Sequence, residues 1–196
     1  MSTEAKSRPL RADAARNRQA LLTAARSAFE RGGVQASLDD IAHAAGVGAG
    51  TLYRHFPTRD RLVLAVIEDG LDELQRLGTA LLAESDAVAA LREWLAAYIE
   101  QGSLFDGLAR TLVVTPTPDD DSHAACVRSR AAGAALIAKA ARAGGLRDDI
   151  RPDDVLDLAA GIAWVGQQSV RDDGQRDRLV ALVIDGLRPA TSSTRL

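Results

Sequence analysis

Apolar residues recur along most of the chain at the three- and four-residue spacing of α-helices. In the first such stretch, the positions that share one face are Leu21, Leu22, Ala25 and Phe29. Gly32 and Gly33 follow this stretch and are typical of a helix end, because glycine adopts the left-handed conformation without strain. We therefore predict a first helix from near Ala12 to Arg31.

Residues 37–61, SLDDIAHAAGVGAGTLYRHFPTRDR, predict two short helices joined by a tight turn. Ser37 stands at the N-cap position of the first helix, with an acidic residue three positions later. Ala42, Gly46 and Leu52 have the spacing of two closely crossing helices, with a small residue at the crossing, a glycine at the bend and an aliphatic side chain that packs back. A unit of this kind presents its second helix to the major groove of DNA.

The second of these helices has one predicted buried face and one polar face. Leu52 and Phe56 are four residues apart and point inward together. Pro57 ends the helix, because a proline excludes the residue before it from the helical conformation. At about 100° per residue, the outward positions are Arg54, opposite the buried pair, with Thr51 and His55 on one flank and Tyr53 on the other.

Thr58 is a predicted N-cap for the next helix, whose first turn contains Arg59 and Arg61. Cations at this end oppose the helix dipole. A nearby phosphate would compensate for that repulsion.

The rest of the chain also predicts helices, separated by glycine and proline. They cover about residues 58–77, 87–101, 107–114, 119–143, 152–165 and 175–187. Abundant alanine and leucine with only 4% aromatic residues favours an all-α fold. The last two helices carry small and aliphatic residues on more than one face. We expect part of that surface to pack against a second copy, and ordinary burial within one chain is the alternative.

Charge is distributed unevenly along the 196 residues. Residues 1–61 contain ten Arg and Lys and six Asp and Glu, a net charge of +4, and the whole chain carries −3, which leaves −7 for residues 62–196. A basic head followed by an acidic body fits a protein that binds phosphate at one end. Within the head, Arg11, Arg16 and Arg18 either approach DNA or form an ordinary solvated face.

The composition also limits the setting and the chemistry. The single cysteine, Cys126, cannot form an intramolecular disulfide and fits a reducing cytoplasm. We expect no signal peptide and no membrane span, because the first residues are polar and no apolar run reaches ~20 residues. Because His43, His55 and His123 lack metal-ligand spacing, we expect neither a metal nor another cofactor.

The segment IAHAAGVGAGTLYRHFPTRDRLVLAV resembles the DNA-binding segment of the tetracycline-repressor (TetR) family of regulators, and GTLYRHFPTRDRL is its most specific part. The resemblance covers about the first third of the chain. It implies a homodimer whose N-terminal heads bind double-stranded operator DNA. It also implies a larger domain that binds a small-molecule effector and thereby lowers DNA affinity.

With this resemblance, the predicted all-α fold has an N-terminal three-helix helix-turn-helix DNA-binding head and a larger helical ligand-binding and dimerisation domain. The predicted boundaries are a flexible basic arm at 1–10, the head at 11–57, the regulatory and dimerisation domain at 58–188 and a flexible tail at 189–196. The last two long helices are expected to form the homodimer.

The resemblance implies DNA contacts at Thr51, Tyr53 and His55, a phosphate contact at Arg59 and a hydroxyl-bearing contact at Ser37. Family members often carry Ser and Lys, or another base-reading residue, where this chain has Gly48 and Ala49. We therefore expect fewer direct base contacts at the N-terminal end of the helix. Arg54 and the N-terminal arm are expected to contribute more to DNA binding. The predicted DNA-binding positions are Ser37, Gly48, Ala49, Thr51, Tyr53, Arg54, His55 and Arg59.

Large side chains in the body mark a candidate effector pocket, since such sites are mostly apolar with a few placed polar groups. The predicted ligand-binding residues are Trp94, Tyr98, Phe105, Leu108, Arg130, Trp164 and Gln168. Ordinary core packing is the competing interpretation for each aromatic residue. The sequence does not identify the effector.

A ligand-responsive transcriptional repressor is the favoured function, with two alternatives. A helical enzyme would use Asp119–Asp121 or Asp153-Asp154 near His123, although acidic residues at helix starts are more simply dipole partners. A helical adaptor would instead pack its helix-turn-helix on a protein partner. Steep salt dependence of binding separates DNA recognition from an apolar protein interface.

Overall fold

The computed structural model describes residues 4–109, 121–166 and 174–189, with side chains described for 12–104, 123–166 and 174–189. These residues form eight helices and no strand, which confirms the all-α fold class. The helices are α1 (Glu4–Gly32), α2 (Leu38–Ala44), α3 (Ala49–His55), α4 (Arg59–Leu81), α5 (Ala87–Ala109), α6 (Asp121–Arg142), α7 (Pro152–Gly166) and α8 (Gln175–Gly186).

The described residues divide into two compact units. The first contains residues 4–69 together with 107–109, and the second contains 70–106, 121–166 and 174–189. None of the helices in the described part of the chain combines the length and apolar character needed to cross a membrane.

The first unit is built around α1, α2, α3 and the first half of α4. The predicted inner face of α1 is buried, and it shares the core with apolar residues of the other three helices. The buried residues are Leu21, Leu22, Ala25, Phe29, Ile41, Ala42, Leu52, Phe56, Leu62, Val63, Ala65, Val66 and Ile67. Helix α1 ends as predicted, because Gly33 has a φ of 68° and donates its N–H to the Phe29 carbonyl at 2.8 Å.

Helix α1 begins at Glu4, which corrects the predicted start near Ala12 and places helix at residues 4–10 of the segment 1–10 that was expected to be a flexible arm. Glutamate, alanine, lysine and leucine in this segment are strong helix formers. Pro9 is the sixth residue of α1 and lies in its second turn, where it removes one i→i−4 hydrogen bond. The basic residues of the segment therefore lie on a continuation of α1.

Two glycines that were interpreted as helix ends lie inside helices instead. Helix α4 continues through Gly78 to Leu81, and α5 continues through Gly102 to Ala109. The separate helix predicted at 107–114 is therefore wrong for Gly107–Ala109, which form the end of α5, and residues 110–114 lie outside the described residues. Both glycines permit close packing, since a Cβ at Gly78 would lie 2.8 Å from the Ala132 Cβ and one at Gly102 would lie 2.9 Å from the Ala163 Cβ.

The core of the second unit surrounds Trp94, which has no exposed surface. Its indole N–H donates to the Leu74 carbonyl at 2.9 Å, so the only polar atom of the ring is satisfied. A Cβ at Gly133 would lie 2.4 Å from the Trp94 Cη2 atom, which leaves glycine as the residue that fits. Trp94 therefore fills the space between α4, α5 and α6.

The backbone carbonyls at the ends of α4 and α6 are hydrogen-bonded in two different ways. The Lys139 ammonium donates to the carbonyls of Leu82 (2.9 Å) and Glu84, just beyond the last turn of α4, where a cation is favourable. Helix α6 ends at the predicted glycine pair. Gly144 has a φ of 74°, and the Gly145 N–H donates to the Ala140 carbonyl at 3.0 Å.

We predict that Gly133→Ala destabilises the second unit by about 1–3 kcal/mol, because the added methyl group overpacks against the indole of Trp94. Thermal and urea unfolding measure the change. Gly186→Ala, where a Cβ would meet open space, is the matched control and should be neutral or slightly stabilising. Equal unfolding midpoints for the two variants would contradict this packing arrangement.

Candidate nucleic-acid and ligand sites

The turn between α2 and α3 has the geometry that the sequence predicts. The Ser37 hydroxyl accepts the N–H of Asp40 at 3.2 Å and caps α2. Gly46 has a φ of 69°, and the next residue donates its N–H to the Ala42 carbonyl at 3.0 Å. The capped helix and the left-handed glycine together direct the chain into α3.

Helix α3 presents one polar face, as its spacing predicts. Leu52 and Phe56 are buried, with 1% and 3% of their surfaces exposed. Tyr53 is 49% exposed and Arg54 is exposed, whereas Thr51 and His55 are half-buried. Gly48 and Ala49 at the start of α3 are exposed and contribute little side-chain chemistry.

The chain leaves α3 and enters α4 through two predicted signals. Phe56, just before Pro57, has φ −133° and ψ 89°, outside the helical region. The Thr58 hydroxyl then accepts the N–H of Arg61 at 3.2 Å and caps α4. The short distance along the chain between the two helices keeps the end of α3 beside the first turn of α4.

Arg54 and Thr51 form a polar pair on the outward face of α3. The Arg54 Nη2 atom donates to the Thr51 hydroxyl at 2.9 Å, and its Nε atom donates to the Gly50 carbonyl at 3.2 Å. These contacts leave several guanidinium donors and the hydroxyl proton of Thr51 for other acceptors. The sequence placed both residues on this face but did not predict that they bind each other.

Arg59 has partners that the sequence analysis missed. Its Nη1 atom donates to the carbonyl oxygens of Val34 and Ala36, both at 2.6 Å. These carbonyls belong to the loop between α1 and α2, more than twenty residues earlier in the chain. They are acceptors within the protein for Arg59, one of the two cations beside which the sequence analysis expected a phosphate.

Arg18 lies beside the end of α3, since its guanidinium carbon is 5.6 Å from the centroid of the Phe56 ring. A cation over an aromatic face is attracted by the ring quadrupole. Arg18 is exposed, so its charge remains available to solvent or to an anion. The contact concerns Arg18 alone, because Arg16 pairs with Asp13 and the side chain of Arg11 lies outside the described residues.

The second unit contains a polar cluster formed by Tyr98, Arg130 and Asp157. Tyr98 stacks on Trp94 with ring centroids 5.0 Å apart, and Arg130 hydrogen-bonds its hydroxyl. Arg130 also donates to the Asp157 carboxylate at 2.9 Å. Burial raises the pKa of the Tyr98 hydroxyl despite the nearby arginine, so the phenol stays protonated at neutral pH.

Gln101 is a candidate that the sequence analysis did not single out. It is buried, and its Oε1 atom has no hydrogen-bond partner among the residues that the structure describes. Trp94, Tyr98 and Gln101 are separated by four and three positions along α5 and share a face of that helix. A buried acceptor without a donor is unusual in a folded protein, and a bound molecule is one explanation.

The other predicted ligand-binding residues are not brought together by the described structure. Trp94 is enclosed in the core, with no surface left for a ligand. Trp164 lies on the outer face of α7 and is 48% exposed. The side chains of Phe105 and Leu108, and all of Gln168, lie outside the described residues.

Exposed apolar side chains concentrate on the outer faces of α7 and α8. Leu158 is 52% exposed, Val165 43% and Leu182 67%. On α7, Leu158 and Val165 share a face with Gly161, where a Cβ would meet no atom within 4 Å. A glycine on an apolar stripe lets a second helix approach the backbone closely.

The residues considered for the enzyme hypothesis are not shown together in one site by the described structure. Asp153 pairs with Arg130 at 3.5 Å beside the stronger Asp157 contact. His123 is exposed on α6. The side chains of Asp119–Asp121 lie outside the described residues.

Comparisons with known families agree along most of the chain. A family model described as bacterial regulatory proteins of the tetR family matches residues 21–66. A second, described as the C-terminal domain of SbtR-like transcriptional regulators, matches residues 86–189.

Solved structures show the same similarity in three dimensions. A TetR transcriptional regulator from Streptomyces coelicolor is 38% identical, with a TM-score of 0.75 over 89% of this chain and 99% of that one. A TetR regulatory protein from Mycobacterium vanbaalenii is 34% identical, with a TM-score of 0.73 over 92% of this chain and 100% of that one. A helix-turn-helix-type transcriptional regulator of Staphylococcus aureus is 37% identical over 73 residues, 36% of this chain, and the match spans 38% of that regulator's length.

Proposed function

Because the chain belongs to the TetR family of bacterial transcriptional regulators, we propose that it is a cytoplasmic repressor that binds palindromic operator DNA as a homodimer. A small-molecule effector releases it from the operator. The observation that carries this proposal is the polar face of α3, where Tyr53 and Arg54 are exposed and Leu52 and Phe56 are buried. The family is one of transcriptional regulators, which favours this function over the enzyme hypothesis.

In this proposal, α3 enters the major groove, and its outward residues contact either phosphates or base edges. Tyr53, His55 and Ser37 contact phosphates, whereas the Arg54–Thr51 pair contacts base edges, since a guanidinium and a hydroxyl both match acceptors there. Gly48 and Ala49 contribute only close approach of the backbone. Arg18, held over Phe56, adds a positive charge beside the end of α3.

A homodimer supports this arrangement because two copies of α3 related by a two-fold axis fit major grooves about 34–36 Å apart. The apolar residues on the outer faces of α7 and α8 supply the surface for the second copy. Such a patch is unfavourable in water and is typical of an interface. An isologous contact of this kind predicts a palindromic operator.

The effector in this proposal binds beside Tyr98, Gln101 and Arg130. The Gln101 oxygen has no partner among the described residues and can accept a hydrogen bond from a ligand, whereas the protonated Tyr98 hydroxyl can donate one to it. The charge of Arg130 is largely taken up by Asp157 and Asp153. We therefore expect a molecule with both an aromatic or aliphatic body and at least one N–H or O–H group.

We predict that Tyr53→Ala weakens binding to all duplexes alike, because it removes a phosphate contact. Arg54→Ala and Thr51→Ala should instead cost about 1–3 kcal/mol at particular base pairs and relax the preference there. Because the two side chains bind each other, the double variant should lose less than the sum of the single losses.

Selection of duplexes from a random library, followed by affinity measurements over a range of salt concentrations, tests these expectations. Arg142→Ala removes an exposed charge from the second unit and is the control, with no change expected. If all three α3 variants kept the affinity and preference of the native chain, α3 would not be the DNA-reading element. Binding that is insensitive to salt would instead favour the adaptor hypothesis.

We predict that Leu158→Glu or Leu182→Glu converts the dimer into monomers, because each places a charge in an apolar interface. Sedimentation at micromolar concentration measures the state, and loss of tight operator binding should follow. Val127→Glu is the matched control, since Val127 is 56% exposed on α6. A native chain that is monomeric, or variants that stay dimeric, would contradict this interface.

We predict that Gln101→Leu stabilises the unliganded protein by about 1–3 kcal/mol, because it removes a buried oxygen that has no partner among the residues the structure describes. The same variant should lose its response to the effector. Compounds that raise the melting temperature of the native protein and release it from DNA identify the effector class in a screen. A variant that is no more stable than the native protein, and that still responds to those compounds, would exclude Gln101 from the site.

A further inference from the structure

The first turn of α4 is bonded to the loop that precedes α2 through a single side chain. The Nη1 atom of Arg59 donates to the carbonyls of Val34 and Ala36 at 2.6 Å each. The loop is a tight turn, closed by the Ala36 N–H donating to the Gly33 carbonyl at 3.1 Å. That internal bond does not use the carbonyls of Val34 and Ala36, to which Arg59 donates, so the arginine adds two hydrogen bonds to the turn.

This position differs from that of an arginine available for phosphate. The bonds are short and part-buried, whereas the neighbouring Arg61 is exposed. A hydrogen bond from an ionised donor is stronger than one between neutral groups. Both N–H groups of Nη1 are used by these carbonyls, so turning Nη1 toward DNA would leave the two carbonyls without their donor.

The bonded loop leads directly into the helix-turn-helix. Ala36 is followed by Ser37, whose hydroxyl caps α2, and α2 is followed by the Gly46 turn and α3. On the other side, Leu62 and Val63 follow Arg59 on α4 and are fully buried in the core of the first unit. Arg59 therefore ties the entrance of α2 to a helix that cannot shift without disturbing that core.

We propose that Arg59 is a positioning residue for DNA binding, which holds the α1–α2 loop on α4 and so fixes the orientation of α3, and that it is not a phosphate contact. The inference rests on the proposed binding of DNA through α3. It reassigns the residue for which the family resemblance implied a phosphate contact.

Arg59→Gln, Arg59→Lys and Arg61→Gln in the full chain test this inference. Arg61→Gln is the control, because Arg61 lies two residues after Arg59, is exposed and loses the same charge in this substitution. Amide hydrogen exchange of residues 36–44 and 49–55 is measured on the free protein. Affinity for a random-sequence duplex is then measured at several salt concentrations, at a temperature well below the melting point of every variant.

Arg59→Gln should speed exchange in α2 and α3 at least tenfold and lower DNA affinity at least tenfold, although the protein remains folded. The slope of log affinity against log salt should stay unchanged, because no phosphate contact is lost. Arg59→Lys, which keeps a cationic donor, should restore exchange protection and affinity together. Arg61→Gln should leave exchange as it is in the native chain.

A phosphate contact gives the opposite pattern, in which Arg59→Gln lowers the salt slope by about 0.9 and leaves exchange unchanged. That result would overturn the inference. An increase in exchange rate in Arg61→Gln as large as that in Arg59→Gln would also overturn it. If Arg59→Gln exchanged faster but kept its DNA affinity, Arg59 would only stabilise the fold, and the inference would also be overturned. A native chain that binds no duplex would overturn the proposed function, and the exchange data would still show whether Arg59 holds the loop.

Discussion

The burial of Leu52 and Phe56 is the constraint on which the polar face of α3 depends. Each contributes about 1.5–3 kcal/mol when it is removed from water, and together they fix the rotation of α3 about its own axis. Once they point inward, the helical period leaves Tyr53 and Arg54 outside and Thr51 and His55 on the border. The polar face follows from the position of two apolar residues. Its chemistry can vary without changing how the helix packs.

The head was predictable from sequence because its signals are local. Ser37 caps a helix that starts at the next residue, Gly46 takes a positive φ that other residues avoid, and Pro57 removes Phe56 from the helical region. Each effect acts within a few positions along the chain. The polar face of α3 was therefore correct, as were the end of α1, the start of α7 and the glycine pair after α6.

Signals that depend on distant partners were not predictable in the same way. Glycine serves two purposes, since it ends helices by adopting positive φ and also permits close approach of a neighbour. Gly78 and Gly102 serve the second purpose, and they are single glycines like Gly46, which instead takes a positive φ in a turn. Arg59 illustrates the same limit. Its charge suggested a phosphate, whereas its carbonyl partners lie 23 and 25 residues earlier.

In the second unit, Trp94 fills core space that the sequence suggested for an effector. Trp94 occupies the space between its helices and satisfies its own N–H, so the aromatic cluster that the sequence suggested as a pocket is closed at that point. One and two turns further along α5, Tyr98 contributes a protonated hydroxyl and Gln101 a buried oxygen with no partner among the described residues. Leaving such an oxygen unpaired costs about 1–3 kcal/mol, and leucine would avoid that loss. A donor on a bound molecule is one way to satisfy this oxygen, which is the basis of the effector site proposed here.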